Sequence, residues 1–167
     1  MKALLLVVLV VLSLFANAPA MADTAGYPTE DNPTFLFDYP CDWELKRGED
    51  DTDFLTLSGP SGVLVQLRAI ADNQAERSEA AASTVSYLKE NYSELELTGE
   101  AEFGSPGLAG SMIAGSGLDS DKVPVVVAAF FLPLPSGDFV YASLIASRDD
   151  KVGKDAAGAL MNSIRAP

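Results

Sequence analysis

The chain has 167 residues, with 24 acidic against 11 basic, no histidine and a single cysteine. A surface so acidic repels phosphate backbones and anionic lipid, which argues against nucleic-acid and membrane-surface partners. The missing imidazole removes Ser-His-Asp and Cys-His catalysis, histidine-ligated zinc or haem, and histidine-based proton transfer near neutrality.

Lys2 precedes a segment, Ala3 to Phe15, that is apolar except for Ser13, and Ala20-Met21-Ala22 follows with a small-x-small cleavage pattern. A membrane-spanning helix needs roughly 20 apolar residues. The shorter stretch here predicts a secretory signal peptide over 1–22, cut between Ala22 and Asp23, with no stable membrane anchor left after cleavage. Cutting at Ala16-Asn17-Ala18 instead would move the new terminus by four residues without changing this expectation. What remains has the size of one ordinary domain with a single core. Cys41 has no partner with which to close an intramolecular disulfide, so packing alone must hold the fold. Placed between Asp38 and Asp42 with no basic neighbour, it predicts a buried, inert thiol rather than a nucleophile.

Asp23 to Asn32 (DTAGYPTEDN) is polar and carries Gly26 and Pro28, which predicts a flexible lead-in over 23–32 and a single domain over 33–167. Phe35, Phe37 and Tyr39 alternate along one face of a first strand, which Pro40 ends. Trp43-Glu44-Leu45 predicts a short second strand, Glu49-Asp50-Asp51 a turn, and Asp53 to Ser58 a third strand. Gly59-Pro60-Ser61-Gly62 is a turn of the kind that joins antiparallel neighbours, and Val63 to Ile70 is rich in branched strand formers. The period then changes. Ala81, Val85, Leu88 and Tyr92 recur as the stripe of an amphipathic helix, with Ser78 as its N-cap and Glu79 near the positive end of the dipole.

Strand-like sequence resumes over 95–103 and 109–116. Val125 to Leu132 is the longest apolar run after the leader and predicts a strand covered on both faces. After a turn over 133–138, Phe139 to Ala146 returns beside it. Val152, Ala156, Leu160 and Ile164 space out a closing helix. Gly153 and Gly158 inside it cost about 1 kcal/mol each relative to alanine, so docking must hold that helix in place. The order of elements defines an α+β protein: an α/β/α sandwich with a central antiparallel sheet and helices packed on it.

The opening Phe35-x-Phe37-x-Tyr39-Pro40-x-x-Trp43, followed by a strand, Gly59-Pro60-x-Gly62 and Val63-x-Val65, resembles the start of the PsbP-like superfamily. That group includes the photosystem II extrinsic protein PsbP, a yeast-type Ran-binding import factor and exported bacterial proteins of the DcrB kind. The later pattern is also similar: a helix over 78–92, a long strand hairpin, and a closing helix ending Met161-Asn162-Ser163-Ile164. The likeness spans Pro33 to Arg165. It implies an α/β/α sandwich around an antiparallel sheet and little about function, because such folds host different partners. Physically the motif is core packing: Phe35, Phe37 and Trp43 each bury enough apolar area to contribute about 1.5–3 kcal/mol.

No Gly-x-Ser-x-Gly elbow, Walker loop or Gly-x-Gly-x-x-Gly turn is present. Gly115-Ser116-Gly117 predicts flexible backbone rather than a phosphate cradle. Ser86-Tyr87-Leu88-Lys89 matches a Ser-x-x-Lys pattern by chance, on the solvent side of a helix and without the Lys-Thr-Gly element that would accompany it. Carboxylates offer the one candidate site: Glu49, Asp50, Asp51 and Asp53 form an oxygen-rich turn that could take calcium, and Asp119-Ser120-Asp121 forms another. Neither has the spacing of an EF-hand loop, and solvated turns are the simpler expectation. No cofactor is implied. Together these features predict an exported, soluble, non-catalytic binding or accessory protein, periplasmic or secreted, whose partner is another envelope protein met through a sheet edge or loop rim. Two alternatives stand beside it: a small-molecule or lipid carrier with an apolar pocket near Tyr39 to Trp43 and the 125–132 hairpin, and a calcium-dependent accessory protein.

Overall fold

The computed structural model describes residues 23–50, 53–105 and 108–167. The signal-peptide segment, including Ala22, and Asp51 of the acidic turn therefore lie outside the described residues. Strands β3 (Glu44–Lys46), β4 (Leu55–Ser58) and β5 (Leu64–Ile70) form a meander, and helix α1 (Gln74–Asn91) follows. The chain continues through β6 (Ser93–Leu97), β7 (Ala101–Ser105), β8 (Leu108–Leu118), β9 (Pro124–Pro133) and β10 (Phe139–Ser147), and closes with helix α2 (Lys151–Ser163). The main sheet runs β3-β4-β5-β10-β9-β8-β6, with β7 also paired to β8. Every pairing is antiparallel.

Helix α1 carries the chain from β5 across β10, β9 and β8 to the far edge. Four strand spacings amount to about 19 Å, and an 18-residue helix is about 27 Å long, so α1 can cross the sheet diagonally. Strand parity then sorts the two faces. Val65, Leu67, Ala128, Phe130, Leu132, Val140, Ala142 and Leu144 face away from α1 and join one cluster with Ala156, Ala157, Leu160, Met161 and Ile164 of α2. On the α1 side, Ala129, Phe131 and Tyr141 pack with Ala80, and Val125 and Val127 pack with Leu88. Strand β9 is thus covered on both faces, as its unbroken apolar run predicts.

Residues 23–32 depart from the expected flexible lead-in. Asp23–Tyr27 is a strand, β1, paired antiparallel to β2 (Phe35–Tyr39) in a separate two-stranded sheet, with Asp23 opposite Tyr39. The polar composition hides two inward side chains, Ala25 and Tyr27, both buried. Tyr27 stacks on Phe35 at 5.0 Å and donates its hydroxyl proton to the Asp53 carbonyl at 3.0 Å. This hairpin and α2 cover the same face of the main sheet. Backbone bonds between Leu36 and Arg165 join them, with Arg165 Nη2 on Asp38 Oδ1 at 2.9 Å. Burial alone would raise the Asp38 carboxyl, but hydrogen bonds from Arg165 and Thr24, with the Arg165 charge, hold it below the ordinary value.

Helix starts also differ from the expected ones. Asn73, not Ser78, caps α1: its side chain accepts from the Glu76 N–H at 2.7 Å, while Glu76 reaches back to the Ala71 N–H. This reciprocal cap lies in an exposed turn, where apolar periodicity carries no signal. Val152 of α2 is 74% exposed instead of buried, although Gly153 and Lys154 of the same turn are buried. There Asp150 caps the helix through the Gly153 N–H at 2.8 Å. Cys41 is exposed rather than buried: it sits on the tip of the turn closed by Trp43 N–H on the Pro40 carbonyl, so Pro40 and Trp43 take the buried positions. No helix among the described residues is long and apolar enough to cross a membrane.

Candidate binding cleft

The α1 face of the sheet is not sealed. Only Ala80 and Leu88 of α1 are fully buried, while Thr84, Val85 and Tyr92 of the expected stripe region are half-buried. On one flank the helix closes tightly through Ala81, Val85 and Leu88 against Leu97, Ile113 and Val127. The opposite flank stands away from β5 and β10 and leaves a cleft of about 260 Å³. Gln66 and Ser143, paired across β5 and β10, form its floor. Tyr141 and Phe54 form one wall, with Ser83, Thr84, Tyr87 and Leu88 of α1 opposite. Tyr87 stands at the mouth and is 48% exposed.

The polar groups of this cleft are only partly used. Thr84 Oγ1 reaches the Ala80 carbonyl at 2.8 Å and also meets the Tyr141 hydroxyl, a contact in which either oxygen can donate. In either direction at least one lone pair of the phenolic oxygen stays open. Ser143 Oγ lies 3.4 Å from Gln66 Oε1, a loose contact that leaves the Gln66 amide hydrogens available. Beside this aromatic wall the Arg68 guanidinium lies 4.8 Å from the Phe54 ring centre and 5.7 Å from that of Tyr141. Burial raises the Tyr141 phenol above its usual range, against smaller lowering effects of the Thr84 hydrogen bond and the Arg68 charge.

The sign of that shift has a measurable consequence. The unfolded phenol loses its proton from about pH 10, while the folded one keeps it, so the unfolded state is favoured as pH climbs through the folded pKa. Stability at Tyr141 is therefore complete below about pH 10 and lost above it. Tyr141→Phe is expected to flatten the alkaline decline of the urea midpoint. The flattening is partial, because Tyr39 and Tyr92 are shifted upward by burial as well. Midpoints falling with identical slopes in both proteins would contradict this assignment.

Asp53 Oδ2 accepts from the Glu49 and Asp50 N–H groups at 3.0 and 3.1 Å, so this carboxylate closes its own loop. Arg47 Nη1 binds the Gly26 and Pro28 carbonyls, and Arg47 pairs with Glu30 beside the same loop. Asp119 likewise turns the β8–β9 hairpin by accepting from Asp121 and Val123 N–H groups. Among the described residues no group of three or more carboxylate, cysteine or histidine side chains converges as a metal site would require. The aromatic opening is core: Phe35 and Phe37 are wholly buried and Trp43 nearly so, and none of them lines the cleft. Gly115-Ser116-Gly117 lies inside β8, paired with β9, rather than in a loop.

Gln66, Tyr141 and Ser143 belong to no catalytic or metal motif of the sequence. Their signal is subtler. They are polar residues at alternate positions of strands that lie in the sheet's interior, where a covered face would be expected to be apolar.

The architecture is that of an α+β sandwich with a helix on each face of an antiparallel sheet. Among solved structures, the chain is similar to cyanobacterial PsbP (CyanoP) from Synechocystis, with 12% identity and a TM-score of 0.55 over 91% of this chain and 97% of that one. A Bacteroides thetaiotaomicron protein matches with 10% identity and a TM-score of 0.54 over 80% of this chain, which spans 45% of the Bacteroides protein. A Pseudomonas aeruginosa protein of unknown function matches at 12% identity, covering 85% and 96% of the two chains, with a TM-score of 0.46. No family model and no curated protein sequence matches the chain. The likeness to PsbP shows a PsbP-like fold and nothing of partners or chemistry.

Proposed function

We propose that the protein is an exported, non-catalytic binding or accessory factor of the cell envelope, and that its partner is another envelope protein meeting the rim of the α1 cleft. The observation that carries this reading is the open cleft of about 260 Å³ with the half-exposed Tyr87 ring at its mouth. Exposed aromatics beside a pocket are the usual anchors of protein contacts. The lining supports binding over turnover, since it consists of hydroxyl, amide and apolar groups and holds no carboxylate or amine. Sheet edges are poorer docking sites. Strand β3 is three residues long with exposed Glu44 and Lys46, and β6 carries Glu94 and Glu96 and a register shift. Short, charged or bulged edges resist strand addition.

The leader-like N-terminus supports export, and the aromatic opening with that leader favours a place beside exported bacterial proteins of the DcrB kind. Affinity capture from envelope extract tests the reading. Wild-type protein is expected to retain a specific partner that Tyr87→Ala loses by at least about tenfold, consistent with a hot-spot aromatic. Equal recovery by both, or nothing above background, would remove the cleft rim as the interface.

A further inference from the structure

We infer that the α1 cleft is a binding site for a small, electrically neutral, ring-bearing molecule carrying one amide-like hydrogen-bonding group. The inference rests on the reading of the protein as a binding factor, though not on the identity of its protein partner.

Three observations define the ligand. Its size follows from the volume: about 260 Å³ holds roughly nine waters at 30 Å³ each, or one ring with a short substituent. Its body follows from the walls, where Phe54, Leu88 and Ile145 offer apolar surface and Tyr87 leaves a ring accessible at the mouth. Its polar group follows from the adjacent Gln66, Ser143 and Tyr141. The Gln66 amide hydrogens can donate, the Tyr141 phenolic oxygen can accept, and a group that both accepts and donates satisfies the pair. A carboxamide does so; a hydrocarbon would cover the buried Tyr141 and the half-buried Gln66 without meeting their polar groups, at a cost in affinity.

Neutrality follows from the lining. None of the side chains lining the cleft is ionised at neutral pH, so a charged ligand would be stripped of water with no counter-charge in contact. Arg68 does not alter this. Its guanidinium lies against Phe54 and Tyr141 with Nε buried and without a hydrogen-bond partner, and Arg68 is not among the residues that line the cleft.

A charge series of nearly constant shape tests the inference. The protein purified after export is titrated with phenylacetamide, phenylacetate and phenethylamine while amide resonances are followed by NMR. Phenylacetamide is expected to give saturable shifts centred on Gln66, Thr84, Tyr141 and Ser143, with both charged probes weaker by at least about tenfold, as desolvating an unpaired charge demands. Ser143→Val is expected to abolish those shifts. Should that variant fold poorly, Ser83→Trp, on the exposed side of the mouth, blocks the same cleft. No saturable shifts with phenylacetamide, shifts mapping elsewhere, or a charged probe binding equally well or more tightly would each overturn the inference. Those outcomes leave the capture experiment untouched, since loss of the protein partner in Tyr87→Ala is read separately.

Discussion

Phe37→Ala is expected to lower the free energy of unfolding by about 3–5 kcal/mol, the range measured for removing a buried aromatic ring from a packed core. The Phe37 side chain is wholly buried, with ring centres of Phe35 and Tyr39 at 6.2 and 6.0 Å. It belongs to the cluster that unites the β1–β2 hairpin, the main sheet and α2. The cavity left by truncation lies where these three meet, and backbone bonds on both sides of the site, Leu36 to Arg165 and β1 to β2, prevent it from collapsing. Typical domains have only about 5–15 kcal/mol in hand, so the variant is expected to be partly unfolded at 37 °C. Urea denaturation followed by Trp43 fluorescence reads the effect. The exposed Cys41 provides the contrast: Cys41→Ser is expected to change stability by no more than about 0.5 kcal/mol. A Phe37→Ala loss below about 1 kcal/mol, outside the range for buried aromatics, would mean that this ring is not part of the core.

The second large effect belongs to a glycine. A Cβ at Gly110 would fall 2.1 Å from the Phe131 carbonyl oxygen and 3.1 Å from Leu132 Cα. Those are backbone atoms of the neighbouring strand, so no change of rotamer relieves the overlap; β8 and β9 must separate. Gly110→Ala is expected to cost about 1–3 kcal/mol, the range for overpacking, and to broaden the thermal transition. Gly99 is the internal control, because a Cβ there meets nothing within 4 Å. Gly99→Ala is expected to be neutral or to stabilise by about 0.4–1 kcal/mol through the unfolded chain. Indistinguishable melts for the two variants would refute the close approach of β8 to β9.

How far the molecule was legible in advance depended on the range of the forces involved. Val125 to Leu132, Phe139 to Ala146 and the alternating Phe35-Phe37-Tyr39 state their environment locally, because burial on two faces or on one imposes its own period on the residues concerned. Strand β1 does not. Two buried side chains, Ala25 and Tyr27, hold it in place, and their burial depends on a partner strand and on the Asp53 carbonyl, 26 residues away. Val152 fits the helical spacing yet is exposed, since spacing defines a face without saying which of its positions a neighbour covers. The acidic turn is the opposite case. Its composition is plain in the sequence, but only the fold shows that the Asp53 carboxylate accepts from backbone N–H groups of its own loop.

The sequence by itself determined the α+β class, the antiparallel sheet between two helical layers, and the aromatic residues at its centre, because those features arise from periodic burial that each segment carries alone. Only the tertiary structure decided where a ligand could enter. The cleft exists because a single helix must pass from β5 across β10, β9 and β8 to β6 and is narrower than the sheet beneath it. It closes against β8 and β9 and leaves Gln66, Tyr141 and Ser143 open on its other flank. Those three residues come from strands some 75 positions apart, with Ser143 set opposite Gln66 at a separation of 77, and no local pattern in the chain can bring them together.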